Sequence, residues 1–309
     1  MRELIDLNQG NLLFFDIETA PIVKELEPDT PLYDSWEYKV NKDGDLEESD
    51  IIKLYSKEAS LYPEFAKIVC IVLGKIVKGE IVLITYDHED EVELLKQFAK
   101  KLDTLPKDTL VGFANKIFDT PFICKRMILN GIEPDGRIDS SGLKPWEVSE
   151  IDLAEVWKLT SITRASLINV ATAFGLSSPK DDISGADVGR VYWNEPNGLK
   201  RISEYCSKDV STTINIFRGM CMRNFLNVGK NVIVDTSSKL KSEAVMQHLF
   251  SGGRYTKKHK ESLLKLLKTL PSDELDIAFT ILNSCVSTAK GRKTKITKTH
   301  VKELKEELV

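Results

Sequence analysis

Two β-branched runs, KIVCIVLGKIV at 67–77 and GEIVLITY at 79–86, are divided by Lys78-Gly79, and no other feature constrains the fold so strongly. Runs of this kind on either side of a glycine turn predict an antiparallel hairpin. Upstream, residues 11–17 form a Leu- and Phe-rich run too short for a helix, a first strand that ends in carboxylates. Downstream the periods alternate. Val92, Leu95, Phe98, Ala99 and Leu102 recur at helical spacing, and TLVGFAN at 109–115 is a further buried strand. A helix is expected over 120–130, stopped by Asn130-Gly131, then a short strand in IDLAEVW at 151–157, a helix in SLINVATAFG ended by Gly175, and a long helix over 199–224. A hairpin-started sheet followed by alternating strands and helices is a mixed α/β sheet with helices on its faces.

Two stretches stand apart. Residues 21–64 are rich in acid, proline and tyrosine without a sustained period, and read as a long excursion holding one short helix at 51–55. After Val234 the pattern is all helical, broken at Gly252-Gly253 and Pro271, which puts a boundary near Asp235 between a body (1–235) and a small helical C-terminal region (236–309). That region carries 15 Lys and Arg against 8 Asp and Glu, whereas the residues before it carry 28 against 39. An acidic body with a basic arm suits a protein that approaches phosphates with one face; a solvated lysine-rich helix explains the same charges. No apolar run nears the ~18 residues of a membrane span, and the opening MRELIDLNQG lacks the regions of a secretory signal, so a cytoplasmic protein without membrane contact is expected. The five cysteines are scattered and without a C-x-x-C pair, and read as small buried hydrophobes. His88, His248, His259 and His300 follow no metal-ligand spacing.

Chemistry concentrates in three short elements. In FFDIETA, Asp16 and Glu18 lie two apart on a strand and so share a face; ionised there, they are costly unless paired or bound to a cation, and oxygen ligands without His or Cys nearby favour Mg²⁺ or Mn²⁺ over zinc, though D-x-E by itself is weak evidence of a metal. In GFANKIFDTPF a strand ends at Asn115 and Asp119 opens a helix, where capping alone would also explain an aspartate. In YCSKDV, Tyr205 and Asp209 sit at i and i+4 on one helix face, a pairing that a surface hydrogen bond would equally account for.

Taken in order, D-x-E, F-D-x-P-F and Y-x-x-x-D, the last preceded by SLINVATAFGLSSPKDDISGADV, give the chain a resemblance over roughly residues 10–225 to the DEDD superfamily of 3′-to-5′ exonucleases. It most resembles the tyrosine-bearing branch, and within it the stand-alone relatives of the proofreading domain of family B DNA polymerases. The resemblance implies a ribonuclease H-like fold and hydrolysis of single-stranded nucleic acid, DNA more than RNA, to nucleoside 5′-monophosphates in replication, proofreading or repair. It implies two Mg²⁺ or Mn²⁺ ions roughly 3.5–4 Å apart, one on Asp16, Glu18 and Asp209, the other mainly on Asp16 with Asp119 acting through water. Tyr205 would orient the attacking water. Ile17 and Thr19 through their backbone, Asn115, and Phe118 by stacking would meet the substrate, whereas Phe113 reads as core. A DNA polymerase or replication complex is the partner implied. RNA trimming by the same chemistry, and an inactive binding platform of the same fold, remain the alternatives.

Overall fold

The computed structural model describes residues 2–144, 147–176 and 183–234, together with Leu264 and Lys302. The C-terminal helical region expected over 236–309 lies outside the described residues, apart from those two positions. Six strands form one sheet: β1 Leu12–Pro21, β2 Ala66–Val77, β3 Glu80–Asp87, β4 Thr109–Gly112, β5 Ile151–Asp152 and β6 Val228–Ile233, in the order β5-β4-β1-β2-β3-β6. The hairpin forms as expected, with β1, β2 and β3 an antiparallel meander; β4 and β5 extend it in parallel beyond β1, and β6 lies parallel to β3 at the other edge. The helices among the described residues are α1 Arg2–Ile5, α2 Pro31–Val40, α3 Glu48–Glu58, α4 Glu91–Asp103, α5 Asp119–Leu129, α6 Leu153–Lys158, α7 Leu167–Ala173, α8 Val188–Asn194 and α9 Gly198–Met220.

Strand alternation sorts the first strand between two apolar layers. Leu13, Phe15 and Ile17 face the layer built with Leu94, Leu95 and Phe98 of α4 and Phe122, Ile123 and Met127 of α5. Phe14 and Ala20 face the layer of α9, whose Ile202, Cys206, Val210 and Ile214 repeat every four residues and whose Phe217 meets Phe14 edge-on at 5.4 Å. Asp16 and Glu18 belong by parity to this second face. On the α4 and α5 side, the buried pair Glu91 and Arg126 is fully engaged: Glu91 accepts from the Ile68 N–H at 2.7 Å, and Arg126 donates to it and to the Pro63 carbonyl.

Several expectations change. Only Ile151–Asp152 of 151–157 is strand, because Asp152 accepts from the Ala154 and Glu155 N–H groups and so caps a helix. Residues 21–64 hold two helices rather than one short one. Thr30 caps α2 ahead of Pro31, and Trp36, Ile51, Tyr55 and Phe65 bury one another in a core of their own. The strand expected to reach Asn115 ends at Gly112, the first strand continues to Pro21, the last long helix stops at Met220, and β6 had no counterpart in the sequence reading. Cys70, Cys206 and Cys221 are buried while Cys124 is partly exposed; Cys285 lies outside the described residues.

Gly74 on β2 sets how deeply α9 sits. A Cβ there would stand 2.7 Å from Val210 Cγ1 and 2.8 Å from Ile214 Cδ1. Gly74→Val should therefore overpack this contact and lower stability by about 1–3 kcal/mol. Urea unfolding would show this as a lower midpoint at unchanged slope.

Candidate active site

The four carboxylates come from three elements. β4 pairs with β1 only as far as Phe14, so further along the strand the N–H of Ile17 has no strand partner on that side. The Asp119 carboxylate takes it, with Oδ1 accepting at 3.1 Å. The backbone that returns α5 to this point turns sharply. Ala114 adopts φ 66 and donates its N–H to Asp152 Oδ1 at 2.9 Å, while the Asn115 carbonyl accepts from the Thr120 N–H at 3.0 Å. Asp119 is thus not a helix cap: Phe118 holds the cap position, and the Asp119 side chain points across to β1. From the other side α9 brings Tyr205, Cys206 and Asp209, spaced so that they share its inward face. Tyr205 and Asp209 act on each other electrostatically, and the Cys206 thiol donates to Asp16 Oδ2 at 3.4 Å.

Electrostatics shows how close these groups are. Burial, followed by the charges of Asp119, Glu18 and Asp209, holds the Asp16 carboxyl well above the usual carboxylate range. Glu18 is raised as well, by burial first and then chiefly by Asp209. Burial pushes Asp209 up to about 6 and Asp119 up to about 7. Tyr205 is raised by burial and by the carboxylates of Asp209 and Glu18, so its phenol stays protonated at neutral pH. Among the described residues no Lys or Arg pairs with any of the four. Asp209 is 8% exposed, yet its Oδ1 is buried without a hydrogen-bond partner. A buried oxygen without a partner, among carboxylates whose ionised forms burial disfavours, is the environment a divalent cation relieves.

The residues expected to meet substrate lie around this cluster and inside the fold. Ile17 has its side chain in the core and its N–H on Asp119, and the Thr19 hydroxyl donates to the Ser60 carbonyl at 2.8 Å. Asn115 is 0% exposed and donates to Glu150 Oε2 at 2.7 Å, so its side chain faces the interior. Phe118 is partly exposed and packs on Phe122, its ring 5.4 Å away. Phe113 packs against the α9 layer. Three polar residues escaped the sequence reading. Glu150 and Asp152 add negative charge next to Asp119, and neither lies in a recognisable motif. Cys206 stands against Asp16, and its position three residues before Asp209 on one helix face was the available signal.

Asp119 and Asp209 are both raised above the ~4 of an unfolded aspartate. The folded chain therefore holds extra protons between ~4 and 7, and these groups cost stability as pH rises through that window. In chelator, the double variant Asp119→Asn, Asp209→Asn should gain thermal stability over the parent as pH goes from ~5 to ~8. Parallel melting curves with no widening gap would show that the cluster does not carry this cost.

Comparison with known proteins agrees with this architecture. Residues 38–221 match the RNase_H superfamily model RNase_H_2. A 177-residue stretch, 47% of this chain, is 25% identical to a DNA polymerase of Pyrococcus glycovorans and covers 22% of it. The structure of the family B DNA polymerase from the hyperthermophilic archaeon Pyrobaculum calidifontis aligns with 68% of this chain and 24% of its own, at 20% identity and a TM-score of 0.45. The chain thus spans less than a quarter of either polymerase. With a three-stranded antiparallel meander continued in parallel beyond its first strand, and the family match running from α2 to the end of α9, the chain belongs to the RNase_H superfamily.

Proposed function

We propose that this protein is a 3′-to-5′ exonuclease of the tyrosine-bearing DEDD branch, acting on single-stranded DNA and releasing nucleoside 5′-monophosphates. The observation that carries the reading is the convergence of Asp16, Glu18, Asp119 and Asp209, from three separate elements, with no ion pair from Lys or Arg among the described residues. Asp16, Glu18 and Asp209 would hold one divalent cation and Asp16, with Asp119 through water, a second. When bound, such ions lower the pKa of an attacking water and offset charge on the leaving oxygen. The chain's own residues then have distinct tasks. Asp119, fixed by the Ile17 N–H, holds the edge of the site. Tyr205 keeps its proton and orients water by hydrogen bonding, since a phenol raised by burial is a poor base. Asp209 keeps its buried, unpartnered Oδ1 for a ligand. DNA is preferred as substrate because the similar proteins are DNA polymerases, and a polymerase is the partner such excision would serve.

The test incubates 5′-labelled single-stranded DNA and its RNA counterpart with the protein in Mg²⁺, in Mn²⁺ and in chelator. A metal-dependent ladder shortening from the 3′ end is expected on DNA; a ladder on RNA alone would reassign the sugar, and intact strands throughout would favour the binding platform. Asp16→Ala and Asp209→Ala should abolish cleavage with the fold retained. Tyr205→Phe should slow it by about 10²-fold while metal still raises the melting temperature. Undiminished turnover in Asp209→Ala would place the site elsewhere.

A further inference from the structure

Asp16, Glu18 and Cys206 each offer one ligand atom, and those three atoms lie within 4.8 Å of one another. The Cys206 sulfur is 3.4 Å from Asp16 Oδ2 and 3.6 Å from the Asp16 carbonyl oxygen. Two ligands at ~2.0–2.3 Å from one tetrahedral ion stand roughly 3.5 Å apart, so the thiol and carboxylate already have the separation such an ion imposes. A second observation is independent of this spacing. Asp209, on the same helix face and more than nine-tenths buried, has an oxygen with no partner, and its charge acts on Glu18. The cluster therefore brings a soft ligand, hard ligands and an unsatisfied acceptor together. Mg²⁺ takes oxygen alone, whereas zinc and cadmium favour a thiolate.

We propose that Cys206, with Asp16 and Glu18, forms a thiophilic site that binds one Zn²⁺ or Cd²⁺ ion through a sulfur and carboxylate oxygens, in competition with the hard cation of the exonuclease. The idea rests on the reading of these carboxylates as metal ligands. As the sulfur–metal bond forms, the thiol proton passes to solvent. With a hard ion present, the thiol keeps its proton and its hydrogen bond to Asp16 Oδ2. Thiophilic ions are thereby inhibitors of this enzyme, and Cys206 is the residue that makes them so.

The test uses the full chain after chelator treatment. Zn²⁺ and Mg²⁺ are titrated calorimetrically into the parent and Cys206→Ser, and Cd²⁺ is followed by its ultraviolet sulfur-to-metal charge-transfer band. The parent should bind Zn²⁺ about 10–100-fold more tightly than Cys206→Ser, with Mg²⁺ affinity alike in both. The band should be absent from the variant and, in the parent, suppressed by excess Mg²⁺. Equal Zn²⁺ affinity and an unchanged band would overturn the role of the thiol while leaving the exonuclease reading standing. Failure of either protein to bind Mg²⁺ or Mn²⁺ would overturn the metal reading as a whole. Should Cys206→Ser not fold, the Cd²⁺ band in Asp16→Asn decides: its loss supports the shared site, and its persistence overturns it.

Discussion

Gly74 leaves no side chain between β2 and α9, and Val210 and Ile214 fill the space where its Cβ would stand. Gly74 pairs with Phe14 across the sheet, one step along the same face from the Asp16 and Val72 pair. A helix rises only ~1.5 Å per residue and is stiff. The depth at which positions 210 and 214 settle therefore fixes the height of Tyr205, Cys206 and Asp209 above β1. The apolar stripe of α9 and the Phe14–Phe217 contact press the helix down, and the carboxylates meet as a consequence of that burial.

What is pressed together repels. Asp16 and Glu18 interrupt an otherwise apolar face of β1, and Asp119 and Asp209 approach from two sides. The hydrogen bond from the Ile17 N–H favours the ionised form of Asp119, yet burial and the neighbouring Asp152 and Glu150 outweigh it and the carboxyl stays raised. That bond therefore acts mainly as an orienting contact. The apolar layers on both sides of the sheet hold the like charges in place, which is the usual relation between a stable scaffold and a site that weakens it.

Much of this was legible in the sequence because it rests on short-range pattern. The hairpin about Lys78-Gly79, the Asp16 and Glu18 parity, and the Tyr205 and Asp209 spacing follow from periods of 2 and 3.6 residues. What escaped depends on contacts between distant residues or on single backbone angles. Trp36 and Tyr55 form a core only once α2 meets α3, and the acidic composition around them hides it. Ala114 in a left-handed conformation gives no sign in its side chain, though it lies in the turn that sends Asp119 back to β1. Residues 153–157 read as strand because the apolar run around them is too short for its period to be decided, and the capping bonds of Asp152 make them a helix. Nothing in the residues next to Asn115 shows that Glu150, 35 residues on, accepts from its side chain and holds it inside.

The excursion after β1 also acquires a physical role. At Glu18 the β1–β2 register slips: Glu18 faces Cys70 and Thr19 faces Ile68, leaving Val69 as an extra residue on β2. A bulge beside Asp16 and the buried Glu18 is a soft point, and three contacts from outside the sheet stiffen it. The Thr19 hydroxyl donates to the Ser60 carbonyl, the Ile22 N–H donates to the Phe65 carbonyl, and the Trp193 indole N–H donates to the Pro21 carbonyl. Two of these partners belong to the 59–65 stretch that follows α3, and Ala59 and Phe65 sit in the Trp36 core. The small aromatic core thus anchors the end of the strand that bears Asp16 and Glu18. Functional side chains need placement to within about 0.5 Å, so a segment that supplies none of the four carboxylates still steadies the strand that carries two of them.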